Sequence, residues 1–177
     1  MKGAIIYQSR YGATRMYANM LAEVLNLPVI PEEEVNAVVI KMFDFFLIGS
    51  SVYIGKLMLK RFLDIYVNEL KSKQLFLFIV SADTDPEPES HNKLIADNVP
   101  ETMLSACEFF FLRGKVIYKE LSWKDKLMLR MGAMAQKSAE RKRLMMTDFD
   151  DVKRENLKGL VSRVKQKMAV TTVDNLR

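Results

Sequence analysis

Short apolar runs alternate with helically spaced apolar residues along this chain of 177 residues. The runs at 3–7, 45–49, 75–80 and 109–112 are continuous rather than alternating. Strands that are buried on both faces have this pattern. A further short strand is predicted at 28–30, so the pattern predicts five strands in all.

Helical spacing of apolar residues follows most of these strands. Helices are predicted over 57–70, 92–103 and 149–168, the last with Thr147 or Asp148 as its N-cap. The helix after the first strand is predicted from a stripe formed by Tyr17, Leu21, Val24 and Leu25.

Buried strands that alternate with helices predict an α/β fold, in which helices cover both faces of a parallel sheet. We expect a three-layer sandwich formed by one domain over residues 1–177. Ligands of such sheets bind beyond the carboxyl ends of the strands. Polar or small residues follow three of the predicted strands, in the segments 9–14, 49–51 and 81–83. The sequence therefore predicts a site where these three segments meet.

The first of these segments joins a buried strand to a helix and suits a phosphate group. Unpaired backbone N–H groups at a helix N-terminus attract anions, Ser9 and Thr14 add hydroxyl groups, and Gly12 permits close approach. The segment contains neither the dinucleotide fingerprint nor the lysine of a P-loop, which favours a mononucleotide without magnesium. The alternative is an ordinary polar turn in which Thr14 caps the helix.

Composition narrows the classes of protein. Apolar residues make up 49% of the chain and charged residues 28%, as in globular proteins. One cysteine and one histidine provide neither an internal disulfide nor the usual structural zinc site, so no metal is predicted. We see no signal peptide and no spanning run, and we expect a cytoplasmic protein.

Positive charge is concentrated in one segment. The net charge of the chain is +5, whereas residues 113–143 carry ten basic and three acidic residues, a local charge of +7. The remainder of the chain is therefore slightly acidic. A positive patch favours acidic partners such as anionic lipid or a carboxylate substrate. Nucleic acid is not expected, because no recognised nucleic-acid-binding module is present.

Several motifs resemble those of a known family. The pattern S-x-x-G-x-T over 9–14 is similar to the phosphate loop of flavodoxins, [ST]-x-[ST]-G-x-T, from which Tyr11 departs at the third position. The run 48–56 resembles the isoalloxazine loop of the menaquinone-dependent protoporphyrinogen dehydrogenases. The segments 111–126 and 146–149 resemble the insertion of that family and the entry to its last helix.

The resemblance implies a flavodoxin-like fold with strand order 2-1-3-4-5, an insertion at 113–146 after the fifth strand, and FMN as cofactor. One loop is implied to hold the FMN phosphate: Ser9, Arg10, Tyr11, Gly12, Ala13 and Thr14. A second is implied to line one side of the flavin, with Tyr53 as a stacking partner: Ser50, Ser51, Val52, Tyr53, Ile54 and Gly55. A third is implied to approach the other side: Ser81, Ala82 and Asp83.

The flavin itself would carry the chemistry, so no catalytic side chain is predicted. The implied function is that of an FMN-dependent oxidoreductase similar to the protoporphyrinogen dehydrogenases, with a quinone as acceptor. The alternatives are an electron carrier of the flavodoxin type without its own substrate, and a flavin-binding regulatory domain. Classical flavodoxins are acidic, and the positive charge of this chain argues against the carrier role.

The insertion has two interpretations. Aromatic and methionine residues interleaved with cations are typical of a helix that rests on an anionic membrane or binds an anionic substrate. On this interpretation Trp123, Lys126 and Arg130 are predicted to contact the substrate or the inner face of the membrane. The alternative is a helix packed on the body of the protein with a solvated basic face. The sequence leaves the oligomeric state open.

Overall fold

A computed structural model describes residues 1–81, 88–135, 143 and 147–174. The strands of its main sheet are β1 (Gly3–Gln8), β2 (Val29–Pro31), β3 (Phe45–Tyr53), β4 (Lys56–Leu57), β5 (Gln74–Ser81) and β6 (Cys107–Arg113). Five of them are parallel, in the spatial order β2-β1-β3-β5-β6, and the short strand β4 pairs antiparallel with β3. The five parallel strands thus confirm the predicted flavodoxin-like order 2-1-3-4-5.

Helices cover both faces of this sheet. The α-helices are α1 (Ala13–Leu25), α2 (Ala37–Lys41), α3 (Lys60–Ile65), α4 (Val67–Leu70), α5 (Pro88–Asn98), α6 (Trp123–Ala135) and α7 (Lys158–Asp174). Short 3₁₀ segments lie at Glu32–Glu34, Glu101–Ala106, Tyr118–Glu120 and Arg154–Leu157.

Alternation along the central strands forms two cores. Ile6 and Ile48 face one side of the sheet, where they join residues of the α2–α5 layer such as Leu63. Ile5 and Leu47 face the other side and pack with residues of α1 and α7. Because successive side chains of a strand point to opposite faces, continuous apolar runs bury both faces at once.

Two predicted helices differ from the structure. The segment 57–70 is not one helix: it begins in β4 and then forms α3 and α4, which meet at Tyr66. The predicted helix at 92–103 is α5, which starts earlier at Pro88 and ends at Asn98, before Pro100 and a 3₁₀ segment. Proline disfavours a helical conformation of the residue before it, which explains this ending.

The last helix begins nine residues later than predicted. Phe149 and Asp150 form strand β8, which pairs antiparallel with β7 (Lys115–Val116) and closes the base of the insertion. The prediction of Thr147 or Asp148 as the N-cap is therefore wrong. The Asp148 carboxylate instead accepts the backbone N–H of Tyr118 at 2.7 Å.

Within α1, Val24 is 41% exposed and does not belong to the buried stripe.

The turn between β3 and β4 carries an unfavourable backbone conformation. Tyr53 pairs with Lys56 across a two-residue turn, in which Ile54 has φ 52° and Gly55 has φ 67°. Positive φ at both central residues is typical of a type I′ turn, for which Asn-Gly is the preferred sequence. A β-branched residue is strained at this position, and the Ile54 side chain is 62% exposed, so little packing compensates.

We predict that Ile54→Asn stabilises the protein. Relief of the positive-φ strain should raise the free energy of unfolding by about 1 kcal/mol and Tm by about 2–4 °C. Thermal unfolding followed by circular dichroism measures this change. Ile65→Asn is the matched control, because Ile65 is also exposed but has an ordinary φ. An equal rise in Tm for both variants would contradict the strain argument.

Candidate functional site

The first strand is followed by a turn whose glycine sets the start of α1. Gly12 is the N-cap residue, with φ 85° and no side-chain capping bond. Thr14 lies within the first turn of the helix and is fully buried, so it does not cap the helix. Among the described residues, its hydroxyl oxygen has no hydrogen-bond partner. A buried hydroxyl without a partner is costly, and a bound anion beside the helix N-terminus would satisfy it.

The second loop is a hairpin rather than an irregular turn. Ser50 to Tyr53 continue strand β3, and the hairpin returns through β4. Asn98, which is buried in α5, accepts the Leu57 N–H at 3.0 Å and donates to the Gly55 carbonyl at 3.3 Å. The Ser51 hydroxyl, like that of Thr14, is buried without a partner among the described residues. Asn98 therefore anchors the hairpin to α5, while the Ser51 hydroxyl is left available to a ligand.

The third predicted loop is described only at its start. Ser81 ends strand β5, and its carbonyl accepts the Gly114 N–H at 2.8 Å. This bond holds the start of the insertion beside the end of the strand. Ala82 and Asp83, also predicted as site residues, lie outside the described residues.

The three segments enclose a cavity of about 370 Å³, within the usual range for small-molecule sites. Ten predicted residues line it, from the first loop (Ser9, Arg10, Tyr11, Ala13, Thr14), the hairpin (Ser51, Val52, Tyr53, Ile54) and the third strand (Ser81). Gly12, Ser50 and Gly55 shape the loops without lining the cavity. The structure thus brings together the residues that the sequence distributes over three strand ends.

The insertion supplies the remaining wall of the cavity. Leu121, Asp125, Met128 and Leu129 line it from α6 and the turn before it. Asp125, Leu129 and Ala133 recur every four residues and form the inner face of α6, on which Asp125 and Ala133 are buried. We call α6 the cover helix, because its inner face lies over the cavity.

The outer face of the cover helix is apolar and exposed. Trp123, Leu127, Met131 and Met134 recur at helical spacing on this face, with exposed fractions of 52–75%. Lys126 lies at the side of the helix and donates to the Lys119 carbonyl at 3.3 Å, while Arg130 is exposed. None of the three predicted contacts, Trp123, Lys126 and Arg130, lines the cavity.

Asp125 joins the cover helix to both the first loop and the hairpin. Its carboxylate accepts bonds from Arg10 at 2.9 Å and 3.1 Å, from the Tyr11 hydroxyl, and from the Tyr53 hydroxyl at 2.6 Å. The Tyr11 oxygen in turn accepts the Ser122 N–H at 3.2 Å. The Arg10 guanidinium lies 4.3 Å from the centre of the Tyr53 ring. We call these four side chains (Arg10, Tyr11, Tyr53, Asp125) the aspartate cluster.

The cluster keeps Asp125 ionised although its side chain is only 7% exposed. Burial raises the pKa of a carboxyl group, but hydrogen bonds from Tyr11, Tyr53, Ser122 and Arg10 outweigh burial and lower the pKa of Asp125 to about 2. The same contact raises the pKa of Tyr53, whose hydroxyl donates to the carboxylate. Asp125 is therefore a permanent anion at neutral pH, and it neutralises Arg10.

Asp125 and Asn98 were not predicted from the sequence as residues of the site. Asp125 is one acid within a basic segment, where it has the appearance of a solvent-exposed residue of a first helical turn. Asn98 precedes Val99 and Pro100, which marks a helix end and gives no sign of a contact with the hairpin. One signal in the sequence could have pointed to Asp125. Tyr11 departs from the phosphate-loop pattern, and its hydroxyl is a hydrogen-bond partner of Asp125.

The Cys107 thiol shows no sign of reactivity. Burial raises the pKa of Cys107 to about 12, so its thiol stays protonated and unreactive.

The described residues contain no group of three His, Cys, Asp or Glu side chains that is placed to hold a metal ion. Of the helices in the described part of the chain, none is long and apolar enough to cross a membrane.

Comparison with known proteins assigns the family. The family described as a flavodoxin domain matches residues 4–143, which is most of the chain. The protein therefore belongs to the flavodoxin domain family. No curated protein matches the sequence.

Solved structures with similar folds include three flavodoxins. An archaeal flavodoxin is 17% identical, with 82% of this chain and 94% of that chain covered and a TM-score of 0.42. Two-electron reduced flavodoxin of Megasphaera elsdenii is also 17% identical, with 63% and 85% covered and a TM-score of 0.49. Oxidised flavodoxin 1 of Bacillus cereus is 14% identical, with 82% and 97% covered and a TM-score of 0.47.

Family membership supports FMN, the cofactor predicted from the sequence, and the chemistry of the cavity fits it. The end beside α1 offers the buried Thr14 hydroxyl and the unpaired N–H groups of a helix start, which suit a phosphate. The walls that remain are mostly apolar, with Val52, Tyr53, Leu121 and Met128 among them, and these suit an aromatic ring.

We predict that Thr14→Val weakens FMN binding about tenfold to a hundredfold, because one hydrogen bond to a charged phosphate is lost. Riboflavin, which lacks the phosphate, should bind equally well before and after the change. Quenching of flavin fluorescence measures both affinities. Thr102→Val, at an exposed position away from the cavity, is the control. Equal weakening for FMN and riboflavin would contradict a phosphate contact at Thr14.

We predict a pH-dependent contribution of the aspartate cluster to stability. A carboxyl group whose folded pKa is depressed stabilises the protein above its unfolded pKa, and this contribution is lost as the pH falls through the folded pKa. The difference in unfolding free energy between wild type and Asp125→Asn should be constant from pH 7 to 5 and should shrink from about pH 4 towards about pH 2. Urea titrations at several pH values measure it. A free-energy difference that stays constant down to pH 3 would contradict this prediction.

Proposed function

We propose that the protein is an FMN-dependent oxidoreductase. The observation that carries the proposal is the buried Thr14 hydroxyl without a partner among the described residues, at the helix start that forms one end of a mostly apolar cavity. Bound FMN supplies the chemistry of the protein, because its ring accepts and returns electrons. The task of the chain is to hold the cofactor, orient it and exclude water.

The roles of the site residues follow from their positions. The first loop (Ser9, Arg10, Tyr11, Gly12, Ala13, Thr14) would hold the phosphate, with Tyr11 contributing through its backbone N–H. The hairpin (Ser50, Ser51, Val52, Tyr53, Ile54, Gly55) would line one side of the ring. Ser81, with Ala82 and Asp83, would approach the other side.

The finer proposal concerns the substrate. The order of motifs along the chain resembles that of the menaquinone-dependent protoporphyrinogen dehydrogenases, and we assign the protein a role of that kind. With FMN bound, such a substrate would be oxidised by loss of electrons and protons, and a quinone would be reduced to the quinol. The local charge of +7 at residues 113–143 supports an anionic substrate or surface.

The outer face of the cover helix supports contact with a membrane. Exposed Trp123, Leu127 and Met131 stand beside cations such as Lys126 and Arg130, the combination by which helices rest on anionic lipid. We therefore propose that this face meets the substrate or the inner face of the membrane, where quinones are found. We also propose that residues 1–177 form one domain located in the cytoplasm.

The principal rival is an electron carrier without its own substrate. The deciding test is anaerobic turnover of the FMN-loaded protein with a porphyrinogen and a menaquinone analogue. The proposal expects oxidation of the porphyrinogen that depends on both FMN and quinone. A protein that instead accepts electrons from a flavodoxin reductase, and leaves the porphyrinogen unchanged, would be a carrier.

We predict that the double variant Trp123→Ala/Arg130→Ala reduces binding to anionic lipid vesicles by about tenfold or more, because it removes one exposed aromatic anchor and one cation. Vesicle flotation measures this change. Val38→Ala/Arg61→Ala is the matched control, since it removes one exposed apolar residue and one exposed cation from another surface. Equal vesicle binding by wild type and the Trp123/Arg130 variant would exclude membrane contact through this face.

A further inference from the structure

The aspartate cluster joins three parts of the chain that are distant in sequence. Arg10 and Tyr11 belong to the first loop, Tyr53 to the hairpin and Asp125 to the cover helix, and every bond of the cluster to Asp125 crosses more than seventy residues. The carboxylate is the only member contributed by the insertion. All four side chains also line the cavity.

We propose that Asp125 is a latch that holds the cover helix closed over the cavity, so that FMN enters and leaves only when the aspartate cluster opens. Asp125 is a positioning residue in this account, because it acts through Arg10, Tyr11 and Tyr53. The inference deepens the proposed function and rests on it for the identity of the occupant. The latch itself requires only the bonds that the structure contains.

The strength of the cluster supports this assignment. Arg10 approaches the carboxylate through two nitrogens, and both tyrosines donate to it, so most of the acceptor capacity of Asp125 is used. Charge-assisted bonds of this kind are stronger than neutral ones and strengthen further when water is excluded. Removal of the charge should therefore weaken several bonds at once.

The surroundings of the latch make it the point where the cover helix is most firmly fixed. Past Asp125, the inner face offers Leu129 and Ala133, which contribute apolar contact, and Met128, whose sulfur accepts only a long bond of 3.8 Å from the Tyr53 hydroxyl. The outer face has a row of apolar side chains that are more than half exposed. A helix that is fixed by polar bonds at its first turn, and by apolar contact beyond, is expected to open once those bonds break.

A latch makes a kinetic prediction that a simple cofactor contact does not. If Asp125 only touched FMN, its loss would raise the dissociation rate and leave the association rate unchanged. If it closes a lid, its loss removes a barrier that both directions share, and both rates rise. The two rate constants therefore separate the explanations.

The experiment compares Asp125→Asn with wild type in two measurements. Hydrogen exchange without FMN should show amides of 123–135 exchanging through a local opening that depends little on urea and is about tenfold more frequent in the variant, whereas amides of β3 and β5 exchange through global unfolding in both proteins. Stopped-flow fluorescence should show FMN association and dissociation both accelerated, each by about tenfold. Asp64→Asn is the matched control, because Asp64 is an exposed carboxylate with a lysine partner away from the cavity.

Tyr11→Phe provides a second variant that keeps the Asp125 charge. It removes one donor to the carboxylate and the acceptor of the Ser122 N–H, so it should shift exchange and both rates in the same direction by a smaller factor. This variant keeps the proposal testable if Asp125→Asn folds poorly.

Three results would overturn the latch. The first is unchanged exchange of the cover helix in Asp125→Asn. The second is exchange of the cover helix only through global unfolding, with the same urea dependence as the amides of β3 and β5. The third is faster FMN dissociation with unchanged association. Wild type that does not bind FMN, together with faster exchange of the cover helix in the variant, would refute the proposed function and leave the latch standing.

Discussion

Parallel pairing of β1, β3 and β5 determines where the site forms. The register opposes Gln8 to Ser50 and Ser51 to Val80, so the three strands end at one edge of the sheet. Each strand end then delivers a small or hydroxyl-bearing residue to the same cavity. Because the strands are buried on both faces, packing in two cores fixes their register. The register in turn fixes the positions of the strand ends that form the site.

The aspartate cluster adds a second level of organisation to this edge. The carboxylate of Asp125 binds two of the loops to the insertion. The cover helix consequently has two distinct faces. Its inner face lies over the cavity, and its outer face, which includes Trp123 and Met131, is exposed.

Much of the fold could be predicted from the sequence, because it depends on local patterns. Continuous apolar runs identified the strands, and the family resemblance supplied their order. The hairpin after Tyr53 and the strand at 149–150 were missed, because two-residue strands contain too few positions to show a period. The loops of the candidate site were found from their residue types. Asp125 was not, since its partners are more than seventy residues away and its role depends on tertiary contact.

We propose that the cavity holds FMN with its phosphate at the start of α1. The affinity of the purified protein for FMN and for riboflavin, measured side by side through quenching of flavin fluorescence, tests this placement. We expect saturable binding of FMN and binding of riboflavin that is weaker by about a hundredfold or more, because only FMN satisfies the buried Thr14 hydroxyl and the helix N-terminus. Equal affinity for the two flavins, or no binding of either, would contradict it.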